Sequence, residues 1–464
     1  MIIDRYDPVR LFDLVPQLQL ELGPELVGLD RLLDDDVLFQ RVKADLARRA
    51  PLSLVHGRHS TPVEVILRML VVRRLYHWSY ADTEHFVSDS LVLRQFCRLG
   101  LQRAPDDTTL IRWAALIQPA TLDELNEHVV ALARGLRVTR GHKLRTDGTV
   151  VETTIHHPTD SSLLADGVRV LNRLIKRAKE VVGDGIAAAD TVLHERSREA
   201  RQVARDIGET ARRRGDEAAH ARRTAYARLV EITAASLEDA SRIAGQIAAA
   251  ATGRVGKLRA QVDHFVPLVE QVVDQTCRRL FGGETVPAAE KLVSLFEPHT
   301  QIICRGKATR PTEFGRKIWL DEVDGGIISR YQILDGNPSD DQHVAPTLAQ
   351  HQRLFGQPPD LFAGDRGVHS AENELTAQLL GVKQVALPQP GARSAARQKH
   401  ESQEWFQEAK RFRAGIEGRI SGLKRHGYLG QCPDKGEAGF GRWIGWGILT
   451  ANLATIARSV AAHP

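Results

Sequence analysis

RGHKLRTDGTVVETTIHH, residues 140–157, is where the periodicity of the chain changes. Leu144, Thr146, Val150, Val151, Thr153 and Ile155 are apolar or β-branched, a composition that suits a pleated strand better than a helix. Asp147-Gly148 between them is a dipeptide that often closes a hairpin. The stretch reads as a strand, a turn and a second strand. It leaves Asp147 at a strand end beside a glycine, where a carboxylate can reach a metal ion.

On its N-terminal side, residues 1–137 read as a helical domain. Thr61-Pro62-Val63-Glu64 has the form of a capping box with proline at the first helical position. Val65, Met69, Val72 and Tyr76 follow at helical spacing. Ser79-Tyr80-Ala81-Asp82 opens a second helix, and Phe86, Leu91, Leu93 and Phe96 are its candidate core. PDDTTLIRWAALI (105–117) gives a loop, a polar cap and a third helix. Short capped helices with tight turns suit a helix-turn-helix-like DNA module or a plain helical bundle, and the pattern leaves both open.

On the C-terminal side, residues 160–297 are helical again. ERSREARQVARDIGETARRRGDEAAHARR (195–223) has few large apolar groups and reads as a solvated arm. Val255, Leu258, Val262, Phe265, Val269 and Val272 step by three and four, the spacing of a coiled-coil seam. A long helical hairpin or small bundle is expected there. Strands return in QIICRGK (301–307), KIWLDEV (317–323) and GIISRYQIL (326–334). DLFAGDRGVHS (360–370) is an apolar strand ending at Asp365, followed by a Ser370-capped helix, and GVKQVALPQPG (381–391) is a further strand. From about 400 the pattern is helical. The fold class expected is α/β: a catalytic core in two parts, 138–159 and 298–464, interrupted by an all-helical insertion, 160–297, and preceded by the helices of 1–137.

The bulk properties set limits. The chain has 464 residues, enough for two or three cores. Its 42% hydrophobic and 26% charged residues are those of a globular protein. Lys and Arg number 63 against 58 Asp and Glu, a mild excess of +5 that raises nucleic-acid binding only modestly. Cys97, Cys277, Cys304 and Cys432 form no C-x-x-C pair, which argues against a zinc module or redox motif and fits a reducing compartment. MIIDRYDPVRLFDLV lacks the apolar run of a signal peptide. The most apolar stretch, Trp443 to Ala457, is shorter than the roughly 18 residues a membrane span needs and contains Asn452, so a buried helix is expected.

Three carboxylates stand in settings suited to metal-assisted phosphodiester chemistry: Asp147, Asp365, and Glu417 within a basic helix. Two Mg²⁺ ions about 3.5–4 Å apart can clamp the attacking and leaving oxygens of an in-line displacement, and Mg²⁺ takes hard oxygen ligands. Each carboxylate alone has an ordinary reading: a turn for Asp147, an ion pair with Arg366 for Asp365, an i,i+4 partner of Arg413 for Glu417. The surroundings favour the functional one. Between Ala392 and Arg425, nine Lys and Arg face four Glu, which leaves +5, as much as the whole chain carries. Such a stretch suits phosphate contacts. Trp405 and Tyr428 can stack on unpaired bases there, while Phe406 reads as core.

RAGIEGRISGLKRHG (413–427) resembles the end of the catalytic domain of insertion-sequence DDE transposases, in the branch with a Tyr-x₂-Arg-x₃-Glu-x₆-Lys signature. Arg413, Glu417 and Lys424 match its spacing, and Lys410 stands in place of the Tyr. AGDRG resembles the family's second-Asp motif and LRTDGTVVET its first-Asp strand. STPVEVILRMLVVRRLYHWSYADTEHFVSDSLVLRQF followed by PDDTTLIRW resembles the helical DNA-binding domain that precedes this core, and WGILTANLATIAR, with Asn452, its closing helix. The likeness covers roughly 40–157 and 300–460.

The resemblance implies a ribonuclease H-like core and two Mg²⁺, replaceable by Mn²⁺, on Asp147, Asp365 and Glu417. It implies action on double-stranded DNA, at terminal inverted repeats and a target, by a homodimer or higher multimer in the bacterial cytoplasm, associated with the nucleoid and not with a membrane. Arg413 and Lys424 would hold phosphates or orient Glu417. Arg366 would neutralise developing charge or pair with Asp365, and Arg419 and Arg425 would contact DNA. His156 and His157 are expected to be structural or DNA-contacting rather than metal ligands. A hydrolytic nuclease of the same fold and a domesticated, non-catalytic DNA-binding protein are the rival readings.

Overall fold

The computed structural model describes residues 2–6, 21–49, 52, 60–182, 189–247, 252–304 and 312–462. The chain divides into two compact units, Met1–Glu152 with Arg316–Pro464, and Thr153–Gly315.

The first unit is organised around its last helix. α16 (Gly436–Ala462) is apolar on all sides and buried along most of its length, as a helix with no solvent face must be. It packs against α1 (Pro24–Leu33), α3 (Val63–Leu75) and α7 (Pro119–Gly135). Glycines permit the closest approaches: a Cβ at Gly28 would lie 2.7 Å from Cβ of Ala457, and one at Gly445 would lie 2.7 Å from Cβ of Leu122. Asn452 is wholly buried and fully used. Its Oδ1 accepts from the Ile328 amide at 2.9 Å, and its Nδ2 donates to the Ile328 carbonyl at 2.8 Å and to Asn126 Oδ1 at 2.8 Å. The expected buried helix is therefore present, and its buried Asn452 ties it to a strand and to α7. Among the described residues, no helix is long and apolar enough to cross a membrane.

The sheet is mixed. β1 (Lys143–Glu152) lies between β3 (Thr312–Val323) and β5 (Leu361–Ala363); β4 (Ile327–Ile333) pairs antiparallel with β3, and β6 (Gln384–Ala386) runs parallel to β5. The order within this unit is thus β4-β3-β1-β5-β6, and the molecule is α/β as expected. Leu29, Val65, Leu125, Leu144, Trp319 and Leu453 belong to one apolar cluster. The N-terminal helices share that core with the sheet, so the boundary drawn at 137 does not coincide with a break between compact units.

The second unit contains β2 (Gln301–Cys304), paired antiparallel with Thr312–Gly315, and four long helices: α8 (Asp160–Val182), α9 (Asp190–Thr210), α10 (Asp216–Gln246) and α11 (Gly253–Leu280). They form a bundle with its own core, to which Leu164, Leu171, Leu229, Val262 and Val269 contribute. The seam expected on α11 is buried at Leu258, Val262, Val269 and Val272. The segment expected as a solvated arm, 195–223, is exposed at most positions and runs through α9 and α10 of this bundle. Leu193, Ala200 and Ile207 turn inward from α9, and Arg196 pairs with Asp239 at 2.7 Å. His156 Nε2 lies 3.7 Å from Asp166, and His157 meets the Phe314 ring edge-on.

Ser79 and Asp82 form the expected capping box, and Ser370 caps α13 (Ala371–Leu379). Residues 143–152 are one unbroken strand, so Asp147-Gly148 makes no turn and Asp147 sits mid-strand. The cap expected at Thr61 is absent, because α3 begins at Val63 without a side-chain cap. Glu64 instead joins a buried ion cluster with Arg68 and Arg98, each at 3.4 Å. Leu93 and Phe96 are core, whereas Tyr76, Phe86 and Leu91 are exposed.

Two predictions follow from this packing. Asn452→Leu keeps the volume but strips the Ile328 amide of its acceptor. It is expected to cost about 2–3 kcal/mol, read as a lower urea midpoint at unchanged slope; an unchanged midpoint refutes the role. His351 is buried and stacked on Phe355 at 4.5 Å, and burial pushes its pKa down to about 4. The folded state resists its protonation, so its contribution is complete above the unfolded value near 6.5 and is lost as pH falls towards 4. Urea midpoints of the wild type should fall through that window, by up to about 3 kcal/mol, and more shallowly in His351→Gln; parallel profiles would exclude the assignment.

Candidate functional site

The site begins with strand register. β1 and β5 pair in parallel with Lys143 level with Leu361, Leu144 with Phe362 and Arg145 with Ala363. The same offset carried two residues further brings position 147 level with 365. Side chains alternate along a strand, so Arg145 and Asp147 share one face while Leu144 and Thr146 take the other. Thr146 is buried and donates to Asp321 Oδ1 at 2.7 Å. Asp365 lies just beyond β5 in a turn of its own making: its Oδ1 accepts from the amides of Gly367 at 2.9 Å and Val368 at 3.1 Å.

The third element is α15 (Glu404–Arg425), which packs on β1 and β5. Phe406, Ala409, Ile416 and Leu423 form its buried stripe. Phe406 and Ala409 cluster with Leu361, Ala363 and Ala386, and Leu423 clusters with Val151, Ile318 and Leu320. The helix therefore spans the sheet with its middle over the β1–β5 pair. Arg145 fixes that position. Its Nε lies 2.7 Å from Glu322 Oε2, and its Nη1 donates to the Phe412 carbonyl. Gly415 leaves room for it, since a Cβ there would overlap Arg145 Nη1. At the other end, Lys424 Nζ donates to the Val150 carbonyl at 2.7 Å.

The three carboxylates converge on one cation, the Arg413 guanidinium. Nη2 lies 3.1 Å from Asp147 Oδ2 and 3.8 Å from Asp365 Oδ2, and Nη1 lies 2.9 Å from Glu417 Oε1. Asp147 and Arg413 are largely buried, while Glu417 is exposed. Arg413 and Glu417 share a helix face at i,i+4. The donor set consists of carboxylate oxygens, which suits a hard divalent ion such as Mg²⁺, and the spot already holds a positive charge. Among the described residues, no three Asp, Glu, His or Cys groups are placed to hold one ion as they stand; the guanidinium lies between these three.

A fourth carboxylate, absent from the sequence reading, stands beside them. Asp340 pairs with Lys317 Nζ at 2.7 Å. A Cβ at Gly367 would lie 3.3 Å from both Asp340 Oδ2 and Asp365 Oδ1, and one at Gly148 would lie 3.2 Å from Lys317 Cε and 3.8 Å from Asp340 Oδ1. The mid-strand glycine thus marks a close approach rather than a turn.

The cations expected to meet DNA divide into two groups. Arg366 and Arg425 are exposed, as are Lys399, Lys410 and Arg411; among the described residues Arg366 has no ion pair with Asp365. Arg419 is partly buried, donates to Thr455 Oγ1 at 3.2 Å, and has its pKa lowered by that burial. Arg393 and Arg397 are spent on Glu401, at 2.9 and 2.7 Å. Phe406 is core as expected. Tyr428 is buried as well, which removes it as a base-stacking group, and Trp405 packs partly buried beside Phe406.

Residues 13–116 match the family model of a transposase domain, DUF772. The match supports a transposase family and, with it, DNA as the partner. It ends before β1 and so includes none of the three carboxylates. No curated protein and no solved structure matches the chain.

Gly415→Val would press on Arg145 and lift α15 from β1. A loss of about 1–3 kcal/mol is expected, seen as a lowered melting temperature, with Gly418→Ala as the control, since nothing stands within 4 Å of a Cβ there. Equal melting of the two variants would remove Arg145 as the helix clamp.

Proposed function

We propose that the chain is a DDE-type transposase, with Asp147, Asp365 and Glu417 as its catalytic carboxylates. The observation that carries this reading is their meeting at one guanidinium, although 218 positions separate the first from the second and a whole helical unit intervenes. Carboxylates scattered on a surface for solubility have no reason to share a counter-ion. The mixed sheet, with β1 at its centre carrying the first carboxylate and the parallel β5 leading to the second, supports a ribonuclease H-like core. The transposase-domain match supports DNA contact by the N-terminal helices.

Asp147, Asp365 and Glu417 would hold two divalent ions, Mg²⁺ or Mn²⁺, which when bound neutralise phosphate charge and make a water or a 3′-OH the better nucleophile. The residues of the chain supply the rest. The β1–β5 pair would hold the two aspartates and α15 would carry Glu417 towards them, with Lys424 tying that helix to the β1 backbone. Arg413, Arg366 and Arg425 would hold DNA phosphates, Arg413 with the two-pronged geometry a phosphate accepts best. The reaction proposed is cleavage at terminal inverted repeats, followed by attack of the freed 3′-OH on target DNA within a multimer.

Asp365→Asn should bind the element's end at least as well as wild type, having lost a negative charge, but cleave it at least about a hundredfold more slowly. EDTA should abolish wild-type cleavage and added Mn²⁺ restore it. Wild-type cleavage by the variant, or cleavage in EDTA, would refute the assignment. Joining of the cut end to a second duplex separates a transposase from a nuclease that only hydrolyses.

A further inference from the structure

We propose that Arg413 is the resting occupant of the cation site, and that a divalent ion and a DNA phosphate bind cooperatively because the ion can enter only as this guanidinium leaves. The inference rests on the metal-site reading above and concerns its regulation.

The geometry is that of a placeholder. One guanidinium faces a carboxylate from each of the three segments, hydrogen-bonded to Asp147 at 3.1 Å and Glu417 at 2.9 Å and lying 3.8 Å from Asp365. It occupies the space between the oxygens that an ion would need. A dication and a guanidinium cannot share that space, and side by side they repel. Without either, the three carboxylates would lose the counter-charge they share. Arginine and metal are therefore alternative fillings of the same space.

The hold on Arg413 is partial. Its Nε is buried without a hydrogen-bond partner, so its hold consists of the two terminal nitrogens alone. A displaced guanidinium needs another anion, because stranding it unpaired costs what the ion gains. Duplex DNA supplies one in its phosphates, whose paired oxygens match the arginine fork. Phosphate binding by Arg413 thus vacates the carboxylates, and metal binding releases Arg413 towards phosphate. Linkage requires the coupling to be reciprocal. In the absence of DNA the same arginine suppresses metal loading, which keeps the site from activating water with no substrate present.

A purely structural salt bridge predicts the opposite sign, since removing it would loosen the site and weaken metal binding. The test is Mn²⁺ affinity, followed by the EPR signal of the free ion, for full-length wild type, Arg413→Gln and Arg413→Lys. Each is measured alone and with a random-sequence duplex that offers phosphate but no element end. Without DNA, Arg413→Gln should bind Mn²⁺ roughly tenfold or more tightly than wild type. Duplex should tighten wild type by a similar factor and the Gln variant by less than about twofold. Arg413→Lys, which keeps the charge but cannot fork to three carboxylates, should fall between them; if the Gln variant does not fold, as judged by circular dichroism in EDTA, the Lys variant decides by the same comparison. Equal or weaker Mn²⁺ binding by a folded variant overturns the inference and leaves the metal site standing. Failure of every protein to bind Mn²⁺ while still binding duplex overturns both.

Discussion

A slip of one residue between β1 and β5 would separate everything the site brings together. Parallel pairing sets Arg145 level with Ala363 and so carries Asp147 level with Asp365, on the face that α15 covers. Shifted by one, the position beside Asp365 would be Thr146 or Gly148, one pointing the other way and the other without a side chain. The register is held because the opposite face has no freedom to move. Leu144 and Phe362 are wholly buried, and Thr146 is bound to the buried Asp321, which also accepts from Trp319, Thr347 and Arg330. Burial raises the pKa of Asp321, and its donors oppose that rise. A polar cluster on the hidden face thus fixes the position of carboxylates on the working face.

The strands are short, and their support comes from far along the chain. β5 has three residues, too few to hold itself in place by backbone hydrogen bonds alone. α15 lies over it, Arg145 and Lys424 pin α15 to β1, and α16 backs the other end of the sheet. Asn452 shows how a helix with no polar face can still be placed in register: it accepts from the Ile328 amide and, with Asn126, donates to the Ile328 carbonyl. The same helix receives α1 and α7 at glycines. The region matched to a transposase domain is in this way bound into the core that carries the carboxylates, and a substitution on α16 would be felt in both.

The sequence revealed what depends on neighbours along the chain. The Ser79 box, the Ser370 cap, the seam on α11 and the β character of 317–323, 327–333 and 361–363 follow from patterns within a few residues, and the structure contains them. It misled where a distant partner decides. Gly148 reads as a turn residue, but it is there because Lys317 and Asp340 come close to the strand. Thr61 and Glu64 have the spacing of a cap, but Arg68 and Arg98 claim the carboxylate. The segment 195–223 looks too polar to pack, and most of it is exposed, yet Ala200 and Ile207 are buried where three other helices supply the rest of the core. Asp340, in a run of polar residues typical of a loop, carried no signal at all.

The three carboxylates were legible as types in suitable settings, and the resemblance joined them into a set, but their common counter-ion was not. Arg413 was visible only as a helix neighbour of Glu417. Its contacts with Asp147 and Asp365 depend on where α15 crosses the sheet, which Arg145 sets through Gly415. The basic stretch shows the same limit. Its excess of positive charge suggested a continuous phosphate-binding face, but Arg393, Arg397, Arg413, Arg419 and Lys424 are each engaged within the fold, and the exposed cations are Lys399, Lys410, Arg411 and Arg425. Charge counted along a helix measures what a segment carries; what it can offer a partner is the part that the fold has not already paired. On the proposal above, Arg413 is the engaged cation that changes partner, since carboxylate and phosphate are both anions that accept hydrogen bonds from a guanidinium.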